Sequence, residues 1–276
     1  MTVAYWIVKK TRIMDVMINS SVSLVPLFLG AYQLIDFGFI ILLIFLCFIN
    51  AFTFLLNDYY DRDVDSQDEK RKNFNFFSST NPRDHFLGKL LLVTSFILTV
   101  LLPLFFFQQF LPITVIGLFL SISYSHPKIH VKNRLVFDWL IHSLWPILLV
   151  SVSYLYFFED LNSSYWFLIV VGALVGFYAQ INNQLRDFHI DKENNLVNTS
   201  IWLGYEKAVI ARRINAFLIF LLAFIAICFT NAFLTLLVFC LSLIIILKKG
   251  NLDRLNYHNI LWACVYLLEK IVIKII

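Results

Sequence analysis

The sequence predicts an all-α integral membrane protein of nine spanning helices with a cytoplasmic N-terminus, and three observations carry that prediction. Of the 276 residues, 60% are hydrophobic and only 14% charged, where a soluble domain carries about a quarter charged residues. The apolar residues gather in stretches close to the roughly 20 residues that a spanning helix needs. Lys and Arg fall almost wholly in alternate gaps between those stretches, the asymmetry that sets orientation in a membrane.

The stretches lie at about 13–32, 38–56, 88–107, 110–125, 136–158, 164–182, 208–230, 232–248 and 256–276. Lys9, Lys10 and Arg12 precede the first and place the N-terminus in the cytoplasm. No small-residue cleavage site follows it, so a membrane segment is expected rather than a cleaved signal. The second stretch runs into the gap 57–87, which holds Arg62, Lys70, Arg71, Lys72 and Arg83, with Lys89 just beyond. The fourth is short and leads into 126–135, with Lys128, Lys132 and Arg134. The sixth leads into 183–207, with Arg186, Lys192 and Lys207, and Arg212 and Arg213 follow at the next helix end. Lys248, Lys249 and Arg254 mark the last cytoplasmic gap. The gaps of the opposite side contain no Lys or Arg, and one carries Glu159 and Asp160. The ninth stretch carries Glu269, Lys270 and Lys274 and ends outside. A single transmembrane domain over 1–276 follows, without a separate soluble domain. The net charge of +4 speaks for orientation rather than nucleic acid, since no basic stripe interleaves with exposed aromatics. Cys47, Cys228, Cys240 and Cys264 sit within apolar stretches and read as small buried residues, not as disulfides or a zinc site.

Two acidic clusters stand directly after apolar stretches. Asn57, Asp61 and Asp65 repeat an Asn-x-x-x-Asp-x-x-x-Asp pattern, and Asn183, Asp187 and Asp191 repeat it again. Positions four apart lie on one face of a helix, so each cluster predicts an oxygen-rich stripe, with Asp58 beside the first. Stacked carboxylates repel unless cations lie among them. Oxygen stripes suit Mg²⁺, usually held by few carboxylates together with substrate phosphates. The second and sixth stretches each lead into a cluster, a weak internal repeat whose halves are expected to share one site at the cytoplasmic face.

Asn57–Asp65 carries the N-D-x-x-D-x-x-x-D signature, and Asp187 with Asp191 carries D-x-x-x-D, continued by Lys192, Thr199 and Leu203-Gly204. Tyr124-Ser125-His126-Pro127-Lys128 supplies a Y-x-x-x-K element. With these the chain resembles the UbiA superfamily of intramembrane prenyltransferases, over most of its length and in order. The resemblance implies a UbiA-like bundle around a central cavity, an isoprenyl diphosphate with its tail in an apolar tunnel, and Mg²⁺ bridging aspartates to the diphosphate. Ionisation of the allylic C–O bond then gives a cation that a hydrophobic acceptor attacks. Asn57, Asp58, Asp61, Asp65, Asp187 and Asp191 are the implied metal ligands. Asp61, Asp187, Lys128 and Tyr124 are the implied catalytic residues. Arg12, Asn57, Lys128, Tyr124, Arg186 and Asn183 are the candidates for the diphosphate, with Lys132 and Arg134 behind them. The 29 Phe and 12 Tyr offer ring faces for a cation. One departure stands out: relatives often carry an aspartate after the asparagine of the second motif, where this chain has Gln184.

Other residues read more plainly. Asp63 points away from the first stripe and is expected in solvent. Lys132 and Arg134 are expected to set topology or touch anionic lipid. Asp68, Glu69 and Lys70–Lys72 form a charged loop, and Asn73 and Asn81 in the same loop suggest nothing further. His126, His130, His142 and His189 lack metal-ligand spacing. Asp138, just inside the fifth stretch, is expected to face a polar site, since an intramembrane carboxylate is costly. The segment Tyr124-Ser125-His126-Pro127 followed by Lys132, Arg134 and Asp138 is more similar to members acting on carotenoids or other non-benzoate acceptors, with a quinone precursor still open. Two rivals remain: a membrane terpene cyclase that needs no second substrate, and an ion-coupled transporter. The transporter predicts mid-bilayer acids and broken helices, whereas here the acids sit at helix ends. Richness in Asn, Ile, Lys and Phe points to an AT-rich bacterial genome, so a bacterial inner membrane is expected, and the loop charges turn the site toward the cytoplasm.

Overall fold

The computed structural model describes residues 10, 12–29, 36–67, 72, 74–193 and 196–229, and every regular element among them is helical. The expected spans 232–248 and 256–276, the end of the first span, and Asp68–Arg71 lie outside the described residues. Among the described residues, four helices are long and apolar enough to cross a membrane: Phe37–Asp65, Pro82–Phe106, Phe137–Phe157 and Ser163–Glu193. The chain forms two compact units, one of Met1–Ser20 with Asp36–Asn133, the other of Ser21–Ile35 with Arg134–Ile276.

The first unit contains α1 (Ile13–Ser20), α2 (Phe37–Asp65), α3 (Pro82–Phe106) and α4 (Leu111–Ser125). Asp36 caps α2 by accepting from Phe39 N at 2.8 Å. Leu42, Phe45, Leu46, Ile49, Phe52 and Leu56 recur every three or four residues and form its buried face. The expected apolar span ended at 56, yet the helix continues to Asp65, because 57–65 contains neither Gly nor Pro to stop it. Asn81 caps α3 by accepting from Arg83 N, with Pro82 in the first turn, where its missing N–H costs nothing. α3 and α4 both pack on α2. Gly88 of α3 admits Phe76, since a Cβ there would lie 2.8 Å from the Phe76 Cβ. Small residues of α4 let it approach α2 closely enough for a Thr53 Oγ1 to Ser121 Oγ hydrogen bond of 2.8 Å.

In the second unit the first expected span continues as a 3₁₀ segment, Ser21–Leu29, where Pro26 removes a backbone donor. It contacts α5 (Phe137–Phe157), which packs extensively on α6 (Ser163–Glu193). A Cβ on Gly176 would stand 2.0 Å from the His142 carbonyl oxygen, so glycine is what allows the two backbones to meet. Tyr154 Oη donates to Asn162 Oδ1 at 2.8 Å and closes the α5–α6 corner. α6 also outruns its expected end at 182 and carries the second acidic cluster. The short α7 (Thr199–Leu203) ends at Gly204, whose φ of 82° favours glycine, and α8 (Tyr205–Phe229) returns along α6.

Candidate functional site

The first stripe lies on an unbroken helix, so Asn57, Asp61 and Asp65 share one face of α2. Asn57 Oδ1 accepts from Ser125 Oγ at the end of α4 (3.2 Å). Asp58 is buried; Arg12 Nη1 donates to its Oδ1 at 3.1 Å, while its Oδ2 is buried without a hydrogen-bond partner among the described residues. Arg12 also donates from Nε to Asp15 Oδ2 (3.0 Å) and lies 4.6 Å from the centre of the Phe54 ring. Burial pulls the Arg12 pKa down, but Asp58 and Asp15 outweigh it and hold the guanidinium above its ordinary value. Asp61 pairs with Lys132 on the 3₁₀ turn Val131–Asn133. Nearby His130 is held below its ordinary pKa by burial and by Lys132, with Asp61 opposing.

Asp65 is buried and accepts from Asn75 Nδ2 at 2.8 Å, and the same amide donates to the Asp58 carbonyl at 2.8 Å. Asn75 is fixed in turn: its Oδ1 accepts from Phe77 N (2.7 Å), and Lys10 Nζ reaches its carbonyl (3.3 Å) while pairing with Asp84 (2.9 Å). Phe76 and Phe77 pack with Leu55 and Tyr59, so this part of the loop is tied down on α2. Asp63 points to solvent as expected, its side chain 88% exposed. Tyr124 is half-buried near the end of α4. Lys128 is exposed on the following turn and makes no ion pair among the described residues.

The second stripe lies on α6, again without a break through Asn183, Asp187 and Asp191. Asn183 is half-buried. Arg186, with a side chain 67% exposed, donates to its neighbour Asp187 at 3.3 and 3.4 Å, a contact that contributes little at such exposure. Asp191 Oδ2 accepts from Asn198 Nδ2 at 3.0 Å. His189 is exposed and stacks on Tyr205.

Beside this stripe lies a buried network the sequence did not assemble. Asp138 is 0% exposed. Its Oδ1 accepts from Thr199 Oγ1 (2.6 Å) and Trp139 N (2.8 Å), and its Oδ2 from Thr199 N (3.1 Å) and from Gln184 Nε2. Gln184 Oε1 accepts from Trp139 Nε1 (3.0 Å), Ser200 N (3.2 Å) and Ser200 Oγ (2.7 Å). The intramembrane carboxylate is thus satisfied by four neutral donors, and the amide at 184 is one of them. Gln184 was visible as a departure from the family pattern and Asp138 as a carboxylate expected to face a polar site; that the two pair across 46 residues was not visible. Lys132 and Asn75 likewise join the aspartates through turns whose geometry the sequence does not advertise.

The donor set of the stripes is all oxygen, the chemistry Mg²⁺ takes, and Asp58 Oδ2 is a buried carboxylate oxygen with no donor on it among the described residues. Among the described residues no three His, Cys, Asp or Glu side chains converge on one point. One or two carboxylates plus substrate phosphates is the usual Mg²⁺ arrangement, so these residues fit the ion in that mode.

The sequence pattern of the UbiA prenyltransferase family matches residues 19–259. A UbiA homologue from Archaeoglobus fulgidus bound to GPP and Mg²⁺ has the same fold, with a TM-score of 0.69 and 15% identity over 98% of this chain and 100% of that one. The homologue bound to DMAPP and Mg²⁺ gives 0.68 and 16% over 96% and 97%. A further structure of it gives 0.70 and 15% over 98% and 99%. No curated protein matches the chain.

Proposed function

The chain belongs to the UbiA prenyltransferase family, and from that premise we propose that it moves a polyprenyl group from an isoprenyl diphosphate to a hydrophobic acceptor, with Mg²⁺ as cofactor and diphosphate as leaving group. The observation that carries this reading is the continuation of α2 and α6 past their apolar segments as aspartate stripes. The Archaeoglobus homologue bound to GPP or DMAPP together with Mg²⁺ supports the choice of ligands. Family and apolar helices make the protein an integral membrane protein. Nine spans around a central cavity, a bacterial inner membrane and a cytoplasmic site complete the proposal.

Asp58, Asp61 and Asp65 of α2 and Asp187 and Asp191 of α6 would hold the metal, with Asn57 and Asn183 adding neutral oxygens. When bound, Mg²⁺ offsets the charge that gathers on the leaving diphosphate. Lys128 has an exposed ammonium with no ion pair among the described residues, and it contacts phosphate oxygens directly. Arg12 uses its Nε and one Nη1 donor on Asp15 and Asp58; with five N–H donors in a guanidinium, three are left for phosphate. Arg186 is exposed enough to serve the same ligand, and Tyr124 hydrogen-bonds a phosphate oxygen or faces the cation. These fixed cations stabilise the departing group most where its charge is greatest, in the transition state.

The test is product analysis with purified protein, Mg²⁺ and dimethylallyl, geranyl or geranylgeranyl diphosphate, with and without lipid extract of the host. Turnover only with extract, giving a prenylated lipid, is the expected result. A cyclic hydrocarbon or alcohol without extract marks a cyclase. No diphosphate release under any condition overturns the proposal.

A further inference from the structure

We infer that Asp138, Gln184 and Asn198 are positioning residues for the second aspartate stripe, joined into a latch that sets Asp191 by way of α7. The first three backbone N–H groups of α7 each meet a side chain from a different place. Thr199 N donates to Asp138 Oδ2 from α5 (3.1 Å), Ser200 N to Gln184 Oε1 from α6 (3.2 Å), and Ile201 N to the cap residue Asn198 (2.9 Å). These are the donors that every helix start leaves unsatisfied. A five-residue helix has little stability of its own, so its place depends on these contacts. Asn198 then spends its remaining amide on Asp191 (3.0 Å). Asp138 and Gln184 thereby fix the start of α7, Asn198 belongs to that start, and Asn198 in turn holds Oδ2 of Asp191.

Two further observations agree. Val136 has φ 69°, a left-handed conformation that a β-branched residue adopts only at a cost and only where its surroundings enforce it. Its N–H donates to Thr199 Oγ1 (3.0 Å), the same hydroxyl that donates to Asp138. The strained turn into α5 is therefore spent on the latch. Gln184 must also be an amide here: Nε2 gives a proton to Asp138 while Oε1 accepts three. A carboxylate at 184 offers no proton and would face Asp138 with like charge.

The inference rests on the proposed function for one of its readouts, and a second readout is independent of turnover. Full-length wild type, Asn198→Ser, Gln184→Glu and the double variant Asp138→Asn/Gln184→Glu are compared by half-saturating Mg²⁺ in turnover. They are compared again by Mn²⁺ titration followed by electron paramagnetic resonance with inorganic pyrophosphate present, and by thermal midpoint. Serine keeps the helix cap but is too short to reach Asp191. Asn198→Ser should therefore hold its midpoint while metal affinity falls about tenfold, as expected when a residue orienting a ligand is lost. Gln184→Glu should lose affinity similarly, and the double variant should regain part of it, because the asparagine restores a donor facing the new carboxylate while giving up the acceptor of Thr199 N. Unchanged Mn²⁺ binding in Asn198→Ser, or equal losses in Gln184→Glu and the double variant, overturns the latch. Absence of turnover by wild type with every prenyl diphosphate counts against the reaction, and the Mn²⁺ titration then still decides the latch.

Discussion

The two aspartate stripes share one spacing, and each meets a cation at one aspartate and an asparagine at the next. The cations differ in burial: the Lys132 side chain is 18% exposed and that of Arg186 67%. On α2, Asp58 meets Arg12 and Asp61 meets Lys132, cations 46 and 71 residues away in sequence. On α6, Asn198 donates to Asp191 and the exposed neighbour Arg186 to Asp187, while amide, hydroxyl and backbone donors meet the adjoining Asp138. The first stripe has part-buried cations on Asp58 and Asp61 and should fail when one of them is removed. The second lies beside the hydrogen-bonded network of Asp138 and Gln184 and should fail when backbone or donor geometry changes there. Identical motifs therefore tolerate different substitutions, because the surroundings and not the spacing decide what each carboxylate costs to keep.

The largest effect tests what the stripes have in common. Asp61→Ala or Asp187→Ala is expected to lower turnover by about 1,000-fold or more, the scale of losing a group that stabilises developing charge. Both variants remain inserted and monodisperse in detergent. Full activity in either removes that stripe from the site. Next, Gly176→Ala tests the geometric character of the second unit. Its Cβ would meet backbone, 2.0 Å from the His142 oxygen, so α5 and α6 must part at a cost of about 3 kcal/mol. Gly88→Ala in the first unit meets the Phe76 Cβ at 2.8 Å and the Phe77 ring at 3.0 Å, a smaller overlap. A thermal midpoint lower for Gly88→Ala than for Gly176→Ala would reverse the contrast.

The stripes were legible because a four-residue spacing needs only a helix to become a face, and neither 57–65 nor 183–191 contains a helix breaker. The apolar segments were legible for the same local reason. What meets the carboxylates was not legible. Arg12, His130 and Val136 all have positive φ, at 51°, 47° and 69°. Each stands at or within two residues of a side chain that contacts or forms part of an aspartate cluster: Arg12 itself, Lys132 and Asp138. Residues of these types do not advertise a left-handed turn, so the reversals that deliver Arg12 to Asp58 and Lys132 to Asp61 are invisible in periodicity. Lys132 was expected to set topology, and only the turn through His130 makes it a partner of Asp61. The first span read as one helix, but Ser21, Ser23 and Pro26 tighten it to 3₁₀ from Ser21 onward.

Two smaller effects test the electrostatic character of the first stripe. Arg12→Ala strands Asp58, of which one oxygen already lacks a donor among the described residues. The expected loss is on the order of 2 kcal/mol, less than for a fully buried pair because the Arg12 side chain is 28% exposed. Adding Asp58→Asn should recover the midpoint without recovering substrate affinity. Recovery of neither would mean that Arg12 acts through its packing on Phe54 rather than through charge.

The smallest effect separates two lysines of one gap. Lys128 is exposed and makes no ion pair among the described residues, whereas Lys132 is committed to Asp61. Lys128→Ala should raise KM for the prenyl diphosphate about tenfold, leave kcat and the thermal midpoint nearly unchanged, and lose its effect as salt rises, the pattern of a screened contact with an anion. Lys132→Ala should act mainly on kcat and on stability, because it leaves the Asp61 carboxylate without its cation. If both lysines altered KM alone with the same salt dependence, Lys132 would belong to the ligand rather than to the stripe. The first stripe would then keep only one of its two part-buried cations.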